Sequence, residues 1–237
     1  LYDLVAAAVA RVGHLAAHAE RPLRARRFGG DLQVLIGERR VAQRKLVFKQ
    51  LEDVLSEKAI IASNVSTVVV TELASELEHH ERCIGLHFLS DIPDSNIIEV
   101  VRGLNTSDQT YEKICQFAKV INHEYVPVVE SSGLISIRMF LIQLNEACSI
   151  LMEGIASTED IDRVLTVVFG HRQGVFRTAD QMGIEKVVKL LENLYDEYGN
   201  IKYKPSPILL RLHRARHYGI STKRGFYKYD EKGNIIK

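Results

Sequence analysis

Arg82-Cys83-Ile84-Gly85-Leu86-His87-Phe88-Leu89-Ser90, followed by Ile97-Ile98-Glu99-Val100-Val101-Arg102, reads as two short apolar strands. Ile84 to Phe88 is the first and Ile97 to Val101 the second, with the turn residues Asp91-Ile92-Pro93-Asp94 between them. His87 stands at the end of one strand and Glu99 in the middle of the next, twelve residues on. If the strands are neighbours, the carboxylate reaches one ring nitrogen of the imidazole. That contact would set the tautomer and raise the basicity of the other nitrogen. The plainer alternative is a structural histidine at a strand end and a glutamate facing solvent between Ile98 and Val100.

Outward from this pair the chain reads as α/β, then all helical. Asp31 to Ile36 is strand-like. Arg44 to Glu57 carries Leu46, Val47, Leu51, Val54 and Leu55 at helical spacing. Ala59 to Ala62 is an unbroken apolar run, the signature of a buried parallel strand. Thr71 to Leu77 reads as a short helix with Thr71 as its cap, and Ser107 to about Val120 as a longer one. Glu124 to Val129 is a further strand, and a strand-helix-strand run with connections this long implies a parallel crossover. After Ser131-Ser132-Gly133 the period is helical: Leu134 to Glu153, a helix opening at Ser157, Ile184 to Tyr198, and Ser206 to Tyr218. Tyr227 and Tyr229 alternate as an extended tail expected to pack on the last helix.

The bulk properties exclude several classes of function. Of 237 residues, 46% are apolar and 26% charged, as in ordinary globular proteins. A net charge of +1 provides no global attraction to nucleic acid or an anionic membrane, and neither partner is expected. No apolar run is long enough to span a bilayer. Cys83, Cys115 and Cys148 form neither a disulfide framework nor a metal-ligand pattern and suit a reducing, cytoplasmic setting. Residues 1–30 are the least readable. Leu1 to Ala19 fits one helix ended by Pro22, Arg21 to Arg27 reads as a solvated basic face, and Gly29-Gly30 as a break. His79-His80 and the His213/His217 pair lack the further ligands a metal site needs, so no metal is expected.

Several ordered landmarks together resemble the 3-hydroxyacyl-CoA dehydrogenase family. Gly85-Leu86-His87-Phe88 resembles its Gly-Leu-His-Phe-Phe-Asn-Pro motif, and Ala62-Ser63-Asn64-Val65-Ser66-Thr67 its Ala-Ser-Asn-Thr-Ser-Ser loop. Asn145-Glu146-Ala147, Glu159-Asp160-Ile161-Asp162 and Gly225-Phe226-Tyr227-Lys228-Tyr229 resemble later signposts. The resemblance runs from about Asp31 to Tyr229. It implies a Rossmann-like NAD-binding domain, incomplete at its N-terminus, over residues 31–130, behind an unassigned segment 1–30. A helical domain over 131–237 serves dimerisation and substrate. It further implies NAD-linked oxidation of a 3-hydroxyacyl-CoA to the 3-oxoacyl-CoA, of the fatty-acid or butanoate type, by a homodimer. His87 falls on the family's base and Glu99 on the acid that orients it; Ser66, Asn64 and Ser90 fall on substrate- and cofactor-binding positions.

The sequence departs from that family at identifiable points. Nothing in residues 1–45 has the Gly-x-Gly-x-x-Gly spacing that lets backbone approach a pyrophosphate at a helix start. Leu35 replaces a glutamate, Ser90 an asparagine, Ile137 a second active-site asparagine, and Ser221 a lysine. Gly170-His171-Arg172-Gln173-Gly174-Val175-Phe176 stands for Gly-Phe-Pro-Met-Gly-Pro-Phe. Isoleucine neither donates nor accepts a hydrogen bond. The alternative is therefore a relative that keeps fold and dimer with turnover impaired or lost. Another hydroxyacid dehydrogenase of the same plan is disfavoured by the Gly-Leu-His-Phe motif.

Overall fold

The computed structural model describes residues 24–28, 32–36, 41–89 and 96–236. The expected helix over Leu1 to Ala19, the Gly29-Gly30 break, the turn at 91–94 and Ser90 lie outside the described residues. The chain divides into two compact units, which meet in sequence at Leu134 and Ile135.

The first unit is built on one sheet. Its strands are β1 (Arg24–Phe28), β2 (Leu32–Ile36), β3 (Ile60–Asn64), β4 (Cys83–Phe88), β5 (Ile97–Arg102) and β6 (Glu124–Val129). They lie in the spatial order β1-β2-β3-β4-β5-β6. β2, β3 and β4 run parallel, β5 returns antiparallel to β4, and β6 is parallel to β5. The helices are α1 (Val41–Val54), α2 (Val70–Ala74) and α3 (Asp108–Val120). Alternate side chains of the central strands enter two cores. Ile61, Cys83 and Val101 face Phe48 and Leu51 of α1 and Leu73 of α2. Ile60, Ala62, Ile84, Leu86, Ile98 and Val100 face Ile114 and Ala118 of α3. Coverage on both faces is why these strands read as continuous apolar runs.

Two local expectations are corrected here, and one strand is added: Arg24–Phe28, in the Arg-rich stretch, pairs antiparallel along β2, because backbone pairing needs no apolar composition. Thr71 does not cap α2. The helix starts at Val70 with Val69 at the cap position, and the Thr71 hydroxyl donates to the Glu130 carboxylate instead. Helix α1 begins at Val41 and ends at Val54, earlier than its apolar spacing suggested.

The second unit holds α4 (Ser136–Met152), α5 (Thr158–Val167), α6 (Val175–Met182), α7 (Ile184–Tyr198), α8 (Pro207–Arg214) and the hairpin β7 (Lys228–Tyr229) and β8 (Ile235–Ile236). Leu141, Leu144, Phe176, Val187, Leu191 and Leu209 fill its core. Helix α8 stops at Arg214, short of Tyr218, as the chain turns through Arg216 with φ +56°. Helix α6 had no expectation attached to it.

Two buried aspartates tie this unit together. Asp162 of α5 accepts the N–H groups of Phe176 and Arg177, each at 3.0 Å, and so caps α6 from another helix. It also accepts the Tyr227 hydroxyl at 3.0 Å. Asp180 of α6 accepts the N–H groups of Phe226 and Tyr227 at 2.9 Å and the Tyr229 hydroxyl at 2.6 Å. The tyrosine tail is thus seated on carboxylates, not simply on the last helix. Gly174 and Gly225 leave room for them: a β-carbon there would lie 2.1 Å from Asp162 Cγ and 1.9 Å from Asp180 Oδ1.

Gly85 makes a similar demand in the sheet. A β-carbon would sit 2.7 Å from Val65 Cγ2 and 2.9 Å from Val101 Cβ and Val70 Cγ2. Gly85→Ala is expected to cost about 1–3 kcal/mol of stability by overpacking, read as a lowered urea midpoint. For Asp180, burial raises the pKa above the ordinary 3.8, and hydrogen bonds from Tyr229, Tyr227 and Phe226 offset part of that rise. A raised folded-state pKa means the folded form holds its proton longer than the unfolded chain. Its contribution is greatest below the ordinary aspartate value and shrinks as pH rises through the folded value. Relative to Asp180→Asn, the parent is therefore expected to gain stability in denaturant melts as pH is lowered from neutral towards the ordinary aspartate value of 3.8.

Candidate active site

His87 and Glu99 meet because β4 and β5 are antiparallel neighbours with those two residues in direct register. Side chains directly opposite on paired strands share a face. His87 Nδ1 lies 2.6 Å from Glu99 Oε2. Both are buried, with 7% and 3% of their surface exposed. With the carboxylate accepting, Nδ1 carries the hydrogen and Nε2 is left with its lone pair. The solvent-facing reading of Glu99 is thereby set aside.

The loop after β3 lies at the C-terminal edge of the parallel strands, where open α/β sheets bind ligands. Asn64 ends β3, and Ser66 follows, half-buried. Val65 N–H donates to the Leu86 carbonyl at 3.3 Å, tying this loop to the strand that carries His87. Arg44 of α1 donates through Nη1 to the Asn64 carbonyl at 3.0 Å. The Asn64 side-chain oxygen is buried and has no hydrogen-bond partner among the described residues. An acceptor left so costs about 1–3 kcal/mol, which a ligand donor would recover. His87, Glu99, Asn64 and Ser66 all belong to the first unit, and Ser90 lies outside the described residues. Ile137 is buried in the core of the second unit.

Burial pushes the Cys83 and Cys148 thiols up to about 12, so neither is a thiolate near neutrality. Among the described residues no group of three His, Cys, Asp or Glu side chains is placed to hold a metal ion. Nor is any described helix long and apolar enough to cross a membrane.

Arg44 was not singled out in the sequence. A cation inside an amphipathic helix has no motif of its own, and only the backbone of β3 makes it part of this loop.

Comparison with known proteins assigns the chain to a family. Residues 38–131 match the family model for the 3-hydroxyacyl-CoA dehydrogenase NAD-binding domain, and residues 133–229 match the C-terminal domain of the same family. The chain belongs to the 3-hydroxyacyl-CoA dehydrogenase family. It is 35% identical over 188 residues to a 3-hydroxybutyryl-CoA dehydrogenase of Clostridioides difficile, covering 79% of this chain and 67% of that one. It is 31% identical to the human mitochondrial hydroxyacyl-coenzyme A dehydrogenase, where it covers 77% of this chain and 59% of the relative. The crystal structure of (S)-3-hydroxybutyryl-CoA dehydrogenase PaaH1 from Ralstonia eutropha superposes with a TM-score of 0.80 at 31% identity. That match covers 85% of this chain and 71% of the other.

NAD is the cofactor this family implies. The Asn64 oxygen, without a partner among the described residues, offers a ligand an acceptor. No glycine loop for a pyrophosphate lies among the described residues. The described strands run in monotonic order with β1 antiparallel at the edge, so they contain no reversal of order that opens a dinucleotide crevice.

Proposed function

We propose that this protein interconverts a 3-hydroxyacyl-CoA and the corresponding 3-oxoacyl-CoA, with His87 as the base. The observation that carries the reading is the buried 2.6 Å contact between His87 Nδ1 and Glu99. Oxidising an alcohol carbon needs a group to take the hydroxyl proton, and an imidazole held through Nδ1 offers Nε2 for it. Glu99 orients the ring and favours the imidazolium that results. Ser66 donates to the substrate oxygen, and Asn64 accepts from the cofactor amide. Ser90 contributes a hydroxyl where the family motif that the sequence resembles has an asparagine. NAD, when bound, supplies the hydride acceptor.

NADH titration followed by assay with acetoacetyl-CoA tests this. Binding is expected, with turnover that falls about 10²–10⁴-fold in His87→Ala. Turnover unaffected by that substitution would rule the base assignment out.

A second reading, a relative without turnover, is favoured by two observations: the monotonic order of the described strands and Ile137 in place of a polar residue. It expects no NADH binding and no activity even when a glycine-loop unit is supplied at the front.

The protein acts as a homodimer in the cytoplasm on this reading. Three buried free cysteines suit a reducing compartment. In the second unit Met139, Val164, Val167, Val168 and Phe169 are exposed, beside an apolar groove of about 910 Å³ between α4 and α5. Apolar surface of this extent suits a subunit contact. Phe169→Asp combined with Met139→Asp is expected to convert dimer to monomer in light scattering, with helical content retained.

A further inference from the structure

The loop that carries Ser66 is gripped from a part of the chain far away in sequence. Where β6 ends, Glu130 is fixed by its own N–H, which donates to the Arg102 carbonyl at 3.0 Å. Its carboxylate accepts the Thr71 N–H at 2.8 Å and also the Thr71 hydroxyl. The Thr71 hydroxyl oxygen in turn accepts the Leu104 N–H at 2.8 Å. Two residues later the Ser132 hydroxyl donates to the Thr67 carbonyl at 3.0 Å, and the next N–H, of Gly133, donates to the Ser66 carbonyl at 2.7 Å. Each of these groups lies within the first unit.

These bonds hold both ends of the loop. Ser66 and Thr67 are bound at its start, and Thr71, in the first turn of α2, at its finish. Helix α2 has only five residues and no side-chain cap of its own. Glu130 does that work, placing a carboxylate at the N–H end of the helix. The gripping turn is itself held. Gly133 has φ +80°, and Leu134 has φ +48°, a left-handed backbone that a leucine adopts only under constraint. The constraint is visible, since the Leu134 side chain is buried with Val65, Val70 and Val101.

We propose that Glu130 and Ser132 are positioning residues: the strand-exit segment 130–133 fixes the backbone from which Ser66 presents its hydroxyl. This rests on the assignment of Ser66 to the substrate oxygen. A hydroxyl that must meet a developing charge is effective only where it is pre-placed, and a shift of an ångström costs rate.

The test uses Glu130→Gln, Ser132→Ala and Ser132→Thr in the full chain, each alone and with Ser66→Ala. Hydrogen exchange is read without substrate or cofactor. The Thr71 amide is expected to exchange about tenfold faster in Glu130→Gln and the Gly133 amide about tenfold faster in Ser132→Ala, with amides of β4 and β5 unchanged. In turnover of acetoacetyl-CoA, Ser132→Ala is expected to lower kcat about tenfold at near-constant KM, and Ser132→Thr to restore it. Added to Ser66→Ala, Ser132→Ala is expected to cost nothing more, because it acts through that hydroxyl. Losses that multiply in the double variant would overturn the positioning role and leave the Ser66 assignment standing. So would unchanged exchange in both variants. A Ser66→Ala protein with full turnover would instead overturn the Ser66 assignment, and the proposal with it.

Discussion

The antiparallel pairing of β4 with β5 is the constraint on which the site depends. A strand register has a period of two, so a slip of one residue would send Glu99 to the opposite face of the sheet. Here that face is a packed core, where an unpaired carboxylate is very costly. The apolar neighbours enforce the register. Ile98 and Val100 go to the α3 side, and Val101 to the α1 side. The hydrophobic pattern of two strands thereby specifies a polar contact between them. Chemistry and packing are written in the same twelve residues.

Around that pair the unit has an asymmetric character. Its centre is parallel, with helices on both faces, as in open α/β sheets. Its β1 edge is antiparallel, and the described strands progress to it without a reversal. The Asn64 oxygen, buried and without a partner among the described residues, lies on the loop that leaves this parallel centre.

Much of the architecture was legible in the residues. Glu124–Val129 and Ile184–Tyr198 have the limits their composition suggested, because one is a bounded apolar run and the other a bounded amphipathic period. His87 and Glu99 were legible as a pair because a hairpin-like return needs only local sequence. Helix α6 was not, since its cap is Asp162, contributed by another helix, and Gly174 offers no side-chain signal. The same blindness hid Glu130 and Ser132. Their partners lie 59 and 65 residues away, and a hydroxyl or carboxylate in a turn carries no mark of what it will hold. Thr71 was misread for that reason. It is a good cap by type, but the Glu130 carboxylate and the Leu104 amide had already engaged it.

The carboxylates of Asp162 and Asp180 give the final tyrosines a weight that their place near the chain's end would not suggest. Tyr227 lies 65 positions from Asp162 yet shares that acceptor with Phe176, so α5, the start of α6 and the tail form a single cooperative knot. A substitution at one of these places is felt at the others. A bulkier residue at Gly174 or Gly225 evicts a carboxylate, and the loss of Tyr227 strands one in an apolar interior. Trimming or fusing a tag close to this tail therefore amounts to surgery on the helical core.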